Sequence, residues 1–267
     1  MVDDGSNDTT EALIATYCKK NSRFKYHQRQ VDRPKGGNTC RNIGLEKSKG
    51  DFIVFFDSDD IMVKNHVEVK IKAILKYDCD YVIAKTNYFN NERGNINLKH
   101  KYNFNSSDIS AYNYISQKIN WLTYDVCIKA EIAKSINFNE LLKSGQEFNY
   151  FSKLTLKTTH AIFVNEIITL RRYHDESIRG NIRSNKLASF KSAFNSHWCT
   201  YKDINKIADD KINKYLIYKC IKLAIKHPKV YEDFRSSFFK SIFMEYKWKG
   251  FYQYARLIKY AIIKPKY

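Results

Sequence analysis

Across the first two thirds of the 267-residue chain, short unbroken apolar runs alternate with stretches in which apolar residues recur every third or fourth position. The runs at 52–56 and 81–84 predict strands covered on both faces, as in a parallel sheet. Between them, Val67, Ile71, Ile74 and Leu75 share one helical face and Lys64, Glu68, Lys72 and Lys76 the other, which predicts a helix over 63–77. The first residues read as a strand tail, a turn at Gly5 and a helix start, with Asp8 as N-cap and Glu11 completing a capping box. A short strand is expected within 24–30, and the turn at Gly36 and Gly37 opens a helix ending near Gly50. Residues 86–118 are polar, rich in Asn and weakly periodic, and read as an excursion from the sheet. Beyond them the pattern predicts a strand over 121–127, helices over 129–135 and 146–156, and one or two strands over 162–173.

From Asn181 onward only helical periodicity remains, in amphipathic segments broken near Pro228 and Gly250. The chain therefore divides into an α/β part over 1–180 and a helical extension over 181–267. Strand and helix in alternation imply right-handed crossovers and a sheet flanked by helices, with ligands at the carboxyl ends of the strands.

Composition adds three constraints. No stretch approaches the roughly 18 consecutive apolar residues of a membrane-spanning helix, and no basic-then-apolar leader pattern opens the chain. Six cysteines lie scattered without a C-x-x-C pair, which indicates neither a zinc site nor a disulfide framework and fits a reducing cytoplasm. The formal net charge of +18 is concentrated at the end, because residues 181–267 hold 19 basic against 6 acidic side chains. Such a balance favours a polyanionic partner: nucleic acid, acidic lipid or a phosphorylated substrate.

The sharpest chemical signal is Asp57-Ser58-Asp59-Asp60, directly after the apolar run at 52–56. Three carboxylates within four residues at a strand end repel one another unless a cation lies between them. Mg²⁺ or Mn²⁺, which take hard oxygen ligands and bridge to a diphosphate, suit such a cluster; the plainer alternative is a solvated loop that caps the next helix.

Three ordered blocks accompany it. Val2-Asp3-Asp4-Gly5-Ser6 is followed by Asp8, then by Gly37, Cys40-Arg41-Asn42 and Gly44-Leu45, then by Gly50-Asp51, Ile53, Phe55 and the acidic cluster. In this order and spacing the sequence resembles the family 2 glycosyltransferases of GT-A fold, over residues 1 to about 180. The resemblance implies a Rossmann-like nucleotide-diphospho-sugar transferase domain with a mixed sheet flanked by helices. It implies that Asp3 or Asp4 accepts a hydrogen bond from the donor's base, that Arg41 stands by the base or diphosphate, and that Asp57 contacts the ribose or supports the site. Asp59 would ligate Mn²⁺ or Mg²⁺. His174 falls where some members place a histidine near the metal, and Arg171 and Arg172 either face the diphosphate or flank the domain edge. Ser144-Gly145-Gln146-Glu147 stands where the family usually shows Gly-Glu-Asp, which makes Glu147 the implied catalytic base, a glutamate in place of the usual aspartate. Trp121 matches an aromatic on the acceptor side, with a core position as its alternative.

The resemblance also implies that residues 1–180 lack the first βα unit of the family pattern, the one expected before Val2, and its loss would expose neighbouring strand edges. In the extension, a helix over 248–263 carries Lys249, Arg256, Lys259 and Lys264 beside aromatics, Ile258, Ala261 and Ile262. Such a helix either lies on an anionic membrane surface, near a lipid-linked acceptor, or caps the sheet with its lysines solvated. The expected activity is inverting transfer of a sugar, from a UDP-sugar, to a glycan or lipid-linked acceptor in surface polysaccharide synthesis, in the cytoplasm or peripherally at the inner membrane face. The competing classes are a catalytically dead remnant or basic membrane-associated module, and a nucleic-acid binder. The last finds no recognition motif to support it, so no nucleic acid is expected as a partner.

Overall fold

Two sheets of unequal size organise the chain. The computed structural model describes residues 1–89, 102–172 and 185–263, the last without its Ile263 side chain. β1 (Val2–Asp3) pairs in parallel with β2 (His27–Gln28). The larger sheet runs in the order β3–β6–β5–β7–β4, formed by β3 (Phe52–Val54), β4 (Ile61–Met62), β5 (Tyr81–Phe89), β6 (Val126–Lys129) and β7 (Ala161–Arg172). Only β5 and β7 are parallel in it; β3 with β6, β6 with β5, and β4 with β7 are antiparallel. The expected helix-flanked mixed sheet is therefore present, but β3 is not the interior strand of a parallel sheet. Among the described residues it pairs with β6 alone, and the two sheets share no strand pairing.

The helices of the α/β part are α1 (Thr10–Lys20), α2 (Gly37–Lys47), α3 (His66–Tyr77), α4 (Ala111–Ile115), α5 (Ala130–Lys134) and α6 (Gln146–Lys157). The N-cap of α1 is Thr9 rather than Asp8: Asp8 accepts the Thr10 N–H at 2.9 Å from one position outside the helix, and Glu11 accepts from Gln28 Nε2 at 3.2 Å, so the capping box does not form. Alternation along the central strands then sorts the core. Tyr81 and Ile83 of β5, with Val126 and Ile128 of β6, face Trp121, Tyr150, Phe151 and Leu154, while Val82 and Cys127 face Ala73 and Ile74 of α3.

Two stretches differ from their sequence patterns for identifiable reasons. Residues 121–125 are not strand: Asp125 Oδ2 accepts the Leu122 N–H at 2.7 Å and closes a 3-10 turn (Thr123–Asp125), so the strand starts only at Val126. The polar residues 85–89 continue β5 rather than leaving the sheet, because β7 runs beside them as far as Arg172. Two register shifts around Lys85 bend the pair just before this polar half.

The last third consists of α7 (Lys186–Ile204), α8 (Asp210–Lys226), a 3-10 segment (Pro228–Phe234), α9 (Arg235–Tyr246), a 3-10 turn (Lys247–Lys249) and α10 (Gly250–Ile263). Asn185 and Asp209 cap α7 and α8 by accepting the Ala188 and Ile212 N–H groups at 3.0 and 2.7 Å. The interruptions fall at Pro228 and Gly250, as the sequence indicates. These helices enclose their own core of Phe194, Trp198, Leu216, Ile217, Phe238, Ile242 and Leu257. They reach the sheet part through α6, where Asn149 Nδ2 donates to Asp203 at 2.8 Å. The expected boundary near residue 180 falls outside the described residues. Among those described, no helix is long and apolar enough to cross a membrane.

Candidate active site

The acidic cluster begins where β3 ends, and its placement depends on the two phenylalanines before it. Phe55 packs edge-on to Phe138 and Tyr150, whereas Phe56 turns to the opposite face against His66 and Tyr124, with ring centroids 5.4 and 6.0 Å away. With both rings held, the 57–60 loop leaves the sheet in a fixed direction. Asp57 accepts a hydrogen bond from Arg41 Nη2 at 2.7 Å, and the Arg41 guanidinium lies 5.5 Å from the Phe138 ring centroid. The structure thus joins Arg41 to Asp57, two residues singled out from separate sequence blocks.

Asp60 faces the other strand end and accepts the Arg172 N–H at 2.9 Å. Burial pushes its pKa up to about 6; the Arg172 N–H and the Arg171 charge pull it down, and Asp59 and Asp57 add to the rise. A carboxyl in this setting is short of positive charge, the condition a bound cation relieves.

Glu147 occupies the first turn of α6, behind Gly145 in left-handed conformation with φ 77°. A Cβ on Gly145 would come within 2.3 Å of Ser196 Oγ on α7, so both the backbone and the packing require glycine here. Glu147 Oε1 accepts from the backbone N–H and the hydroxyl of Thr123, at 3.3 and 3.1 Å, which aims the carboxylate across the 3-10 turn. Arg171 of β7 is near enough to Asp60 and Glu147 for both charges to act on it, and its guanidinium stands 5.8 Å from the Tyr88 ring centroid. Burial works against its charge, and Tyr124, Tyr88, Glu147 and Asp60 more than offset that, so the guanidinium is held protonated. The charges of both Asp60 and Glu147 thus act on Arg171. In the sequence it was one of two arginines, with Arg172, that either face the diphosphate or flank the domain edge.

Behind this front lies a buried polar network. Lys70 is fully buried; its ammonium donates to His66 Nε2 at 2.9 Å and to the Tyr124 carbonyl at 2.5 Å. His66 Nδ1 donates to the Ile168 carbonyl at 2.9 Å, which leaves Nε2 as the acceptor, and burial followed by the Lys70 charge holds its pKa down at about 4. Asp125, also fully buried, accepts from Thr86 and Tyr102 hydroxyls at 2.5 and 2.8 Å. Burial lowers the pKa of Lys70 and raises that of Asp125, and the opposite charge of each counters its partner's shift. The network thus fixes the turn that holds Glu147 and the ring that holds Phe56.

Asp3 and Asp4 sit at the tip of β1. Asp3 is buried and accepts from the Ser6 hydroxyl at 2.5 Å, from the Ser6 and Gly5 N–H groups at 2.9 and 3.3 Å, and from Tyr26 at 3.3 Å. The Ser6 hydroxyl leads in holding its pKa below the usual range. Asp4 Oδ1 takes both Arg29 Nε at 2.6 Å and the Gly36 N–H at 3.1 Å. Trp121 has 0% exposure and packs among Tyr114, Phe151, Phe104 and Tyr81, so it occupies the core and presents no surface to an acceptor. His174 lies outside the described residues.

Among the described residues no three His, Cys, Asp or Glu side chains form a ready-made metal cage. Hard carboxylate oxygens at 57–60, two of them already engaged by Arg41 and the Arg172 N–H, fit a divalent cation whose remaining ligands come from a diphosphate.

The arrangement is that of a GT-A nucleotide-sugar transferase scaffold. Staphylococcus aureus TarS 1-349, solved with UDP-GlcNAc, shares the fold with a TM-score of 0.64 at 16% identity, over 97% of this chain and 78% of that one. The Pyrobaculum calidifontis mannosyltransferase PcManGT, solved with GDP-Man and Mn²⁺, aligns at 0.50 and 12% identity over 98% and 75% of the two chains. The glycosyl transferase family 2 profile matches residues 1–138, and the chain belongs to that family. GlyG of Streptococcus pneumoniae serotype 4 is 25% identical over 185 residues, covering 66% of this chain and 52% of GlyG. The Escherichia coli β-1,3-glucosyltransferase WfgD, whose name gives UDP-Glc and a GlcNAc-diphosphoundecaprenol as its substrates, is 33% identical over 91 residues, 34% of each chain. A glycosyltransferase of Rickettsia conorii is 34% identical over 95 residues, which cover only 15% of its length. The chain therefore spans about half or less of these curated relatives.

Proposed function

We propose that this chain catalyses inverting transfer of a sugar from a nucleotide-sugar donor, a UDP-sugar, to a glycan or lipid-linked acceptor in surface polysaccharide synthesis. The observation that carries the reading is the Arg41–Asp57 ion pair at 2.7 Å, because it joins two ordered blocks of the family pattern at the 57–60 carboxylates. In this reading residues 1–180 perform the transfer and 181–267 form a helical extension. WfgD supports a lipid-linked acceptor, and TarS a UDP-sugar donor. A lipid-linked acceptor places the enzyme at the inner face of a membrane.

Asp59, with Asp57 or Asp60, would hold Mn²⁺ or Mg²⁺, which neutralises charge on the departing nucleoside diphosphate. Arg171 adds a guanidinium beside that charge, and Arg41, steered by Asp57, supplies a second on the base side. Asp4 uses only Oδ1 in its hydrogen bonds to Arg29 and Gly36, which leaves Oδ2 to accept a base N–H; Asp3 holds the turn beneath it. His174 joins the proposal as a residue near the metal. Glu147, with Oε1 held by Thr123, removes the proton of the acceptor hydroxyl. The acceptor oxygen bonds to the anomeric carbon as the bond to the diphosphate breaks on the opposite face, and the proton remains on Glu147.

Release of UDP from a panel of UDP-sugars, with and without saccharide acceptors, tests the reading. Glu147→Gln should lower turnover roughly 10²–10⁴-fold, leave donor binding intact, and the wild-type product should carry the anomeric configuration opposite to the donor's. Retained turnover in Glu147→Gln, or retained configuration, would remove Glu147 from this role.

A further inference from the structure

Helix α10 is apolar on two sides. One side is packed: Leu257 is buried, Tyr254 meets the Phe239 ring edge-on at 4.9 Å, and a Cβ on Gly250 would stand 2.8 Å from Phe243. The other side faces solvent. Trp248 is 75% exposed, Phe251 68%, Tyr252 65% and Ile262 76%, and Ala255 and Ile258 between them are exposed too. Positions 248, 251, 252, 255, 258 and 262 recur at three- and four-residue spacing, which places them on one continuous stripe. A solvated helix normally turns polar residues outward, so this stripe is shaped for an apolar neighbour.

The rim of the stripe is cationic. Lys249 lies over the Trp248 ring and Arg256 over the Tyr252 ring, with charge-to-centroid distances of 5.5 and 5.6 Å. From Tyr246 to Tyr267 the sequence has six basic residues and no acidic one. Glu245, just before, accepts the Tyr201 hydroxyl at 2.8 Å and belongs to the packed side. A second copy docking on this stripe would bring two such cationic rims together, whereas an anionic bilayer supplies both the apolar layer and the opposite charge. At 14 residues α10 is too short to cross a membrane, and its geometry suits a helix lying in the interfacial plane.

We propose that the outward stripe of α10 is an interfacial anchor for an anionic lipid bilayer, with Trp248, Phe251, Ile258 and Ile262 entering the headgroup boundary and Lys247, Lys249, Arg256 and Lys259 meeting the lipid phosphates. It gives the membrane location in the proposed function a physical contact, and it stands independently of the transfer chemistry.

The test is co-sedimentation of the whole chain with vesicles of phosphatidylcholine alone and of phosphatidylcholine with about one third phosphatidylglycerol, read together with tryptophan emission. Trp121 and Trp198 are buried, so an emission shift on binding reports Trp248. The chain should sediment with the anionic vesicles and not the neutral ones, with a blue shift in emission. Trp248→Ser with Ile262→Ser, both at exposed positions, should weaken binding at least tenfold at unchanged melting temperature, and Lys247→Glu with Lys249→Glu should do the same. Equal binding to neutral vesicles, unaltered binding by the Trp248→Ser, Ile262→Ser chain, or a concentration-dependent dimer that those substitutions abolish would overturn the proposal. UDP binding by the lipid-free chain reads the transferase reading separately, so the failure of either is distinguishable.

Discussion

The two sheets carry candidate carboxylates under opposite conditions. In the small β1–β2 sheet Asp3 is satisfied several times over by its own turn, and its pKa falls below the usual range. Around it the packing is thin: α1 buries none of its residues, and Leu13, Tyr17 and Phe24 are exposed. In the large sheet Asp60 and Asp125 are pushed up by burial, and the surroundings are dense with rings and with the Lys70 network. The small sheet is therefore electrostatically settled but thinly packed, and the large one is densely packed around carboxyls that burial disfavours. A carboxyl raised by burial beside other carboxylates, as Asp60 is, marks a candidate functional position; a satisfied carboxylate in thinly packed surroundings, as Asp3 is, belongs to a part of the fold that opens more readily.

Lys70→Met breaks this contrast most severely. It leaves Asp125 buried without its countercharge, and a loss of about 3–5 kcal/mol in denaturant unfolding is expected. Lys70→Met with Asp125→Asn should recover part of that loss, because the double variant buries no charge and the amide oxygen keeps an acceptor for the donors around it. A single variant of near wild-type stability would show that the network does not brace the site.

Hydrogen exchange sharpens the mechanical half. Amides of α1 and of the segment to Gly36 should exchange at least about 100-fold faster than those of β5 and β6, since a helix with no buried face is marginal in water. Equal protection would mean that the small sheet is as firmly held as the large one.

How much of this was legible in the sequence depended on how local its cause was. The apolar run at 52–56 and the helical spacing over 63–77 and 146–156 gave the elements β3, α3 and α6, but the inward face of α3 is His66, Lys70, Ala73 and Ile74, whereas Val67 and Leu75 of the expected face are exposed. The turn at 121–125 was not legible, because Asp125 draws its partners from Thr86 and Tyr102, far away along the chain. Strand direction was equally hidden: β3 reads as an interior strand yet lies antiparallel to β6, and nothing within its own residues encodes that neighbour. Lys70 did carry a signal, since it stands four residues before Ile74 on the apolar side of α3. At the site, Asp57 with Arg41 and the glutamate of α6 came from ordered motifs; the core position of Trp121, open in the sequence against an acceptor-side one, required the tertiary structure.

Asp60→Asn is the subtlest probe. Because the folded-state pKa of Asp60, about 6, lies above the usual 3.8, its ionisation costs stability that is fully present at low pH and lost as pH rises through about 6. Asparagine keeps an acceptor for the Arg172 N–H without the charge. In EDTA the variant should melt slightly above wild type at pH 8 and show no gain at pH 4; a gain of equal size at both values would mean that ionisation of the buried Asp60 carboxyl is not the cause.

The central claim is that the 57–60 carboxylates hold a cation and, through it, a nucleoside diphosphate. Thermal melting with UDP, Mn²⁺ or both tests it most directly. With UDP at roughly 100 times its dissociation constant, binding contributes about 2.7 kcal/mol, which for a chain of this size raises the melting temperature by about 5–10 °C. That rise should require both UDP and Mn²⁺ and disappear in Asp59→Ala. No rise in the wild-type chain, or the same rise in Asp59→Ala, would contradict the account.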